Sequence, residues 1–185
     1  MNDGCITSLW EGNQAWLQPN FCSVLYTDGL VKPRGLHINK DDNEILLVER
    51  GKSRVIRLDD DGASIVPVAN TADLNHGIEL AGGYLYASTP TTVYRWPYQT
   101  GQAAGNNLDY DEAQEVIVGM DRNASDELGA PGGHTTRTLA FDADGRWLYV
   151  SIGSLGNVDG DSFRSRIRRF DITVWDDAAS SSSSS

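Results

Sequence analysis

The sequence predicts an all-β fold of short antiparallel strands grouped in fours. Three observations predict it. Short apolar or alternating runs recur between turn residues, and no stretch shows helical periodicity. Glycine is frequent, at 19 of 185 residues, as a chain of many turns requires. Three segments read as copies of one unit.

The first unit opens at Arg34-Gly35-Leu36-His37-Ile38. It continues through Glu44 to Glu49 and Ser53 to Leu58, then turns at Asp59-Asp60-Asp61-Gly62. The second has His76-Gly77-Ile78-Glu79-Leu80, then Gly83 to Ser88, then Thr92 to Trp96, with turn residues from Gln99 to Gly105. The third has Arg137 to Phe141, an Asp142-Ala143-Asp144-Gly145 turn, Trp147 to Ser151, and Arg166 to Asp171. A fourth strand fits Ala63 to Val68 after the first unit and Glu115 to Gly119 after the second. Four antiparallel strands per repeat, at a period of roughly 40 to 60 residues, is the pattern of a β-propeller of four-stranded antiparallel blades. Closure takes about 4 to 8 blades. The units here make about three, so the reading is part of a propeller over residues 32–171. Residues 1–31 form an N-terminal segment in which Trp10, Trp16 and Leu17 are available to pack on a blade. Residues 172–185 form a tail ending in a run from Ser180 to Ser185, which is expected to be disordered.

The formal net charge is -11. That argues against nucleic acid or an anionic membrane as partner, since both need a basic face. No apolar run approaches the length that spans a bilayer, and the N-terminus shows no basic segment followed by an apolar core. Cys5 and Cys22 are too few for a disulfide framework. They either pair and tie down the N-terminal segment or remain thiols. Asn123-Ala124-Ser125 is a glycosylation sequon, a three-residue match that arises often by chance.

The chemistry concentrates in one stretch. Gly132-Gly133-His134 is a glycine-rich loop that precedes two strands, and the second strand runs into Gly153-Ser154-Leu155-Gly156-Asn157. A histidine held on a β scaffold beside polar loop groups suits a general base, because imidazole titrates near neutrality. The same residue also suits the capping of a turn. Asn75 and His76 open the second unit, where an asparagine also serves as a plain turn residue. Arg137 reads first as structural. Tyr84, Tyr86, Tyr94, Trp96 and Tyr98 alternate along strands and read as filling between blades rather than as a sugar platform. No Cys/His metal cluster, dinucleotide-binding glycine fingerprint or nucleophile elbow is present. The Asp59 to Gly62 run lacks the later glutamate of a calcium loop.

The stretch resembles the soluble quinoprotein glucose and sorbosone dehydrogenases, propellers that use pyrroloquinoline quinone (PQQ). The residues that carry the likeness are a Gly-x-His ending at His134, Arg137-Thr138-Leu139-Ala140-Phe141, the acidic glycine turn, and Ile152-Gly153. The resemblance covers about Lys32 to Asp171 and implies a six-bladed whole. It makes His134 the base that takes the proton of a sugar hydroxyl. It places Asn75, with His76 as the alternative, against the quinone. It lets Arg34 meet a quinone carboxylate, since a guanidinium pairs with carboxylates through two bonds. Ser154 stands where the glucose-type enzymes carry an acid. Asn157 or Asp159 would have to substitute, which favours the sorbosone-like branch. Asp161 follows in the same loop.

The family's other groups, including its calcium site and further cations for the cofactor, have no counterpart in this sequence, so no metal ligand is assigned. The resemblance therefore implies a PQQ-dependent oxidoreductase acting on an aldose or ketoaldose, with an unidentified electron acceptor and a periplasmic or extracellular location. The chain by itself is expected to turn over weakly or not at all. Two other readings stand beside this one: a non-catalytic propeller used for binding, and a calcium-dependent lactonase-like propeller.

Overall fold

A computed structural model describes residues 25–58, 62–101, 112–120, 133–160 and 165–173. The Cys5 and Cys22 question, the sequon, the aromatic residues of the N-terminus, the Asp59 to Asp61 turn and the serine run lie outside them. The first sheet runs β1 (Pro33–Ile38), β2 (Ile45–Glu49), β3 (Arg54–Leu58) and β4 (Ile65–Asn70). The second runs β5 (Ile78–Ala81), β6 (Tyr84–Ser88), β7 (Val93–Pro97) and β8 (Gln114–Ile117). The third has β9 (Leu139–Phe141), β10 (Trp147–Ile152) and β11 (Arg166–Asp171) among the described residues. Every pairing is antiparallel between strands that follow each other in sequence. These are blades of a β-propeller, as the repeats require.

The sheets stack face to face, and the middle sheet shows why its sequence is so apolar. Side chains alternate across a strand, so a sheet buried on both faces needs apolar residues at every position. Leu85, Ala87, Tyr94 and Trp96 face the first sheet, packing with Leu46, Val48, Val55 and Val66. Tyr86, Val93 and Ile117 face the third sheet and meet Leu139, Leu148 and Val150. The Tyr86 and Phe141 rings meet edge to face across that junction, 4.9 Å apart. The aromatic set thus fills the space between blades. Arg95 is buried with it, its guanidinium 4.0 Å over the Tyr84 ring and its Nε donating to Gln114 Oε1 at 2.9 Å.

The strand ends differ from the sequence reading by a residue or two at several places, and two of these have a local cause. The fourth strand begins at Ile65 rather than Ala63, because Gly62 holds a left-handed turn (φ 71°) packed on Tyr26. The ninth begins at Leu139 rather than Arg137, because Arg137 is spent on loop carbonyls.

Of the three leading strands, β5 touches both β1 and β9. His37 Nδ1 lies 3.1 Å from Glu79 Oε2 between the first two. Because each second strand returns antiparallel, the entries to the leading strands and the connections β2–β3, β6–β7 and β10–β11 gather at one end. No helix of the described residues is long and apolar enough to cross a membrane.

Glu49 anchors this end of the first sheet. It is fully buried. Its carboxylate accepts the Val31 N–H at 2.9 Å and Arg54 Nε–H at 2.6 Å, and meets Lys52 Nζ at 3.0 Å. Burial alone pushes its pKa up, but the Val31 amide, Lys52 and Arg54 together hold it below its ordinary value. A depressed carboxylate stabilises the fold above its unfolded pKa, ordinarily about 4.3, and that stability is lost as pH falls through the folded value. Glu49→Gln keeps the shape and removes the charge. It is expected to cost about 2 kcal/mol at pH 7, the scale of a charge-assisted hydrogen bond. The difference from wild type should shrink below pH 4, and urea unfolding at both pH values checks it.

Candidate active site

His134 is exposed, while the backbone around it is pinned. Its N–H donates to Ser154 O at 2.8 Å. Its carbonyl accepts Arg137 Nη1 at 3.3 Å. The next carbonyl, of Thr135, accepts Asn75 Nδ2 at 2.9 Å. Arg137 is fully buried, and its guanidinium also donates to Thr136 O at 3.0 Å and Met120 O at 3.3 Å. A buried guanidinium spread over carbonyls is a scaffold, in keeping with its structural reading. Glycines allow the close approach. A Cβ at Gly153 would sit 2.0 Å from His134 O, and one at Gly133 would sit 2.3 Å from Leu155 O.

The second sheet supplies the other side. Ser88, buried at the end of β6, donates its hydroxyl to Arg137 O at 2.7 Å and accepts the Gly77 N–H at 2.8 Å. Its carbonyl takes the Asn75 N–H at 3.0 Å. Asn75 is only 3% exposed, and its Oδ1 is a buried acceptor without a hydrogen bond. His76 is half-buried, with Nδ1 3.4 Å from Thr138 Oγ1. Burial, then the positive charge of Arg34, holds its pKa below the ordinary value, so its ring is neutral at pH 7. Arg34 itself is exposed at the entry to β1. A Cβ at Gly35 would fall 1.8 Å from His76 O, which shows how closely the first two leading strands approach.

The loop after β10 is internally tied. Ser154 Oγ donates to Gly156 O at 2.6 Å, and Asp159 Oδ2 accepts the Leu155 N–H at 2.8 Å. Asn157 is exposed farther along it. The fold therefore joins His134 with Ser154 through the backbone, Asn75 with the His134 loop, and Arg34 with His76. Asn157 shares the loop without a bond to the others.

Residues 15–184 match the TrAA12-like family model. The chain belongs to the TrAA12-like family. The calcium structure of a Trichoderma reesei member of carbohydrate-active enzyme family AA12 is similar, at 28% identity and TM-score 0.63 over 79% of this chain and 36% of that one. So is the holo PQQ domain of pyranose dehydrogenase from Coprinopsis cinerea, at 26% identity and TM-score 0.59 over 78% and 34%. The PQQ-bound aldose sugar dehydrogenase of Streptomyces coelicolor shares the fold at 20% identity and TM-score 0.58, over 79% of this chain and 46% of that one. The chain spans between a third and a half of the length of these structures. No curated protein matches it.

Sequence reasoning missed one residue of this cluster, Ser88. A serine ending a strand carries no motif, and its role appears only when Arg137, 49 positions away, is brought against it. At one edge the donor chemistry suits an anionic group. Arg34 offers a guanidinium at the surface, and its charge already acts on the neutral imidazole of His76. Among the described residues no group of three or more His, Cys, Asp and Glu side chains gathers as a metal site.

Proposed function

We propose that the chain is a share of a PQQ-dependent dehydrogenase that oxidises an aldose or ketoaldose of the glucose, sorbosone or pyranose type. One observation carries the reading: the TrAA12-like match spans a histidine whose ring is exposed while its backbone is fixed on three sides. When bound, PQQ supplies the acceptor for a hydride. His134 takes the hydroxyl proton of the sugar on a ring nitrogen as the carbonyl of the product forms. Arg34 would hold a carboxylate of the cofactor, with His76 beside it as a neutral hydrogen-bonding group. Ser154 and Asn157 lie on the loop whose Ser154 carbonyl accepts the His134 N–H. Likeness to the quinoprotein sugar dehydrogenases supports a periplasmic or extracellular location.

The test is a single turnover, since the chain spans under half of its solved relatives. The protein is loaded with PQQ and calcium and mixed with glucose, sorbosone and other pyranoses. Bound quinone is followed by absorbance. A slow sugar-dependent reduction within one turnover, without brisk multiple turnover, is expected. Cofactor bound but reduced by no sugar of the panel overturns the reading, no binding at all points to a binding propeller, and lactone hydrolysis without PQQ points to the lactonase class.

A further inference from the structure

We infer that Asn75 is a positioning residue for His134, acting through the Thr135 carbonyl. The inference rests on the reading of His134 as a base. Three attachments fix the backbone that carries the imidazole: His134 N–H to Ser154 O, Arg137 to His134 O, and Asn75 to Thr135 O. The first two come from the third sheet and its own loops. The third comes from the entry to the second sheet, 60 positions away in sequence. Asn75 thereby transmits the docking of one blade on the next to the residue beside His134.

The side chain is built for that task. Its own N–H is fixed on Ser88 O at 3.0 Å, so its backbone cannot drift along the junction. Only the NH2 end of the amide can serve a carbonyl, which sets the amide's orientation. The Oδ1 end is then left buried without a bond. A side chain retained for packing alone would carry no such atom, because a buried unsatisfied acceptor weakens the fold. Aspartate has the same shape but sets a carboxylate oxygen against the Thr135 carbonyl. Glutamine adds a methylene where both ends are held.

The experiment compares wild type with Asn75→Asp. Hydrogen exchange of amides 134–137 is measured in the cofactor-free protein, and sugar reduction is followed in the loaded one. Glu49→Gln, which weakens the first sheet, controls for general loss of stability. Exchange about tenfold faster or more, confined to 134–137 and absent in the control, is expected. The single-turnover rate should fall about 10- to 100-fold with the half-saturating sugar concentration unchanged, since a displacement on the order of 1 Å costs up to about 100-fold. Exchange at 134–137 equal to wild type overturns the inference. If Asn75→Asp does not fold, Asn75→Ser, which shortens the reach without adding charge, is judged by the same two outcomes. The exchange arm stands even where no sugar is oxidised, so failure of the dehydrogenase reading is told apart from failure of this one.

Discussion

His134→Asn is expected to lower the single-turnover rate of sugar oxidation by about 100- to 10,000-fold, the usual contribution of a positioned general base, with the fold unchanged. The second half follows from where the bonds are. The loop is held through the His134 amide N–H and carbonyl, which any residue supplies. The imidazole is exposed, so its replacement opens no cavity. Asparagine keeps polarity and loses the basic nitrogen. Urea unfolding of the variant should therefore match wild type while bound PQQ stays oxidised in the presence of sugar. A variant that reduces the cofactor at the wild-type rate would remove His134 from the mechanism. A variant that unfolds earlier would show the ring to be part of the scaffold, as the turn-capping reading holds.

The strands were legible because propeller blades pack on both faces. Runs such as Ile45 to Val48 and Tyr84 to Ala87 are apolar without interruption, and turns rich in glycine, aspartate and asparagine separate them. Strand ends were less legible where a long-range contact decides them. Nothing near Arg137 in sequence announces that its guanidinium will span the carbonyls of His134, Thr136 and Met120 and so delay the ninth strand. The same limit applies to the site. His134 stands out through its glycine-rich neighbours, a local signal. Ser88 and the Asn75 to Thr135 bond depend on partners 49 and 60 positions away, which a single sequence does not bring together. Arg34 and His76 fall between these cases. Each opens a repeat unit, so their common position was readable, but the field of one on the other required the leading strands to touch.

Gly77→Ala is expected to cost about 3 kcal/mol or more. A Cβ there would lie 2.2 Å from Arg137 O, 2.6 Å from Ser88 Oγ and 2.7 Å from Leu139 Cγ. Overpacking of a filled core typically costs about 1 to 3 kcal/mol, and little here can yield. Arg137 O is held by the Ser88 hydroxyl, and the Arg137 guanidinium is tied to three carbonyls. Relief by sliding the second sheet away breaks the Gly77 N–H to Ser88 bond and leaves buried polar groups unpaired, on the order of 1 to 3 kcal/mol more. Gly82→Ala is the contrast. Its added methyl meets nothing within 4 Å, so only its left-handed backbone (φ 57°) opposes the change, on the order of 1 kcal/mol. Unfolding in urea distinguishes the two. A loss at Gly77 no larger than at Gly82 would mean that the blades separate easily, and then the side chains that cross between them could not hold His134 in place. A large loss at Gly77 alone would locate the stiffness of the site in the junction of the second and third blades, where Asn75 and Ser88 both reach across.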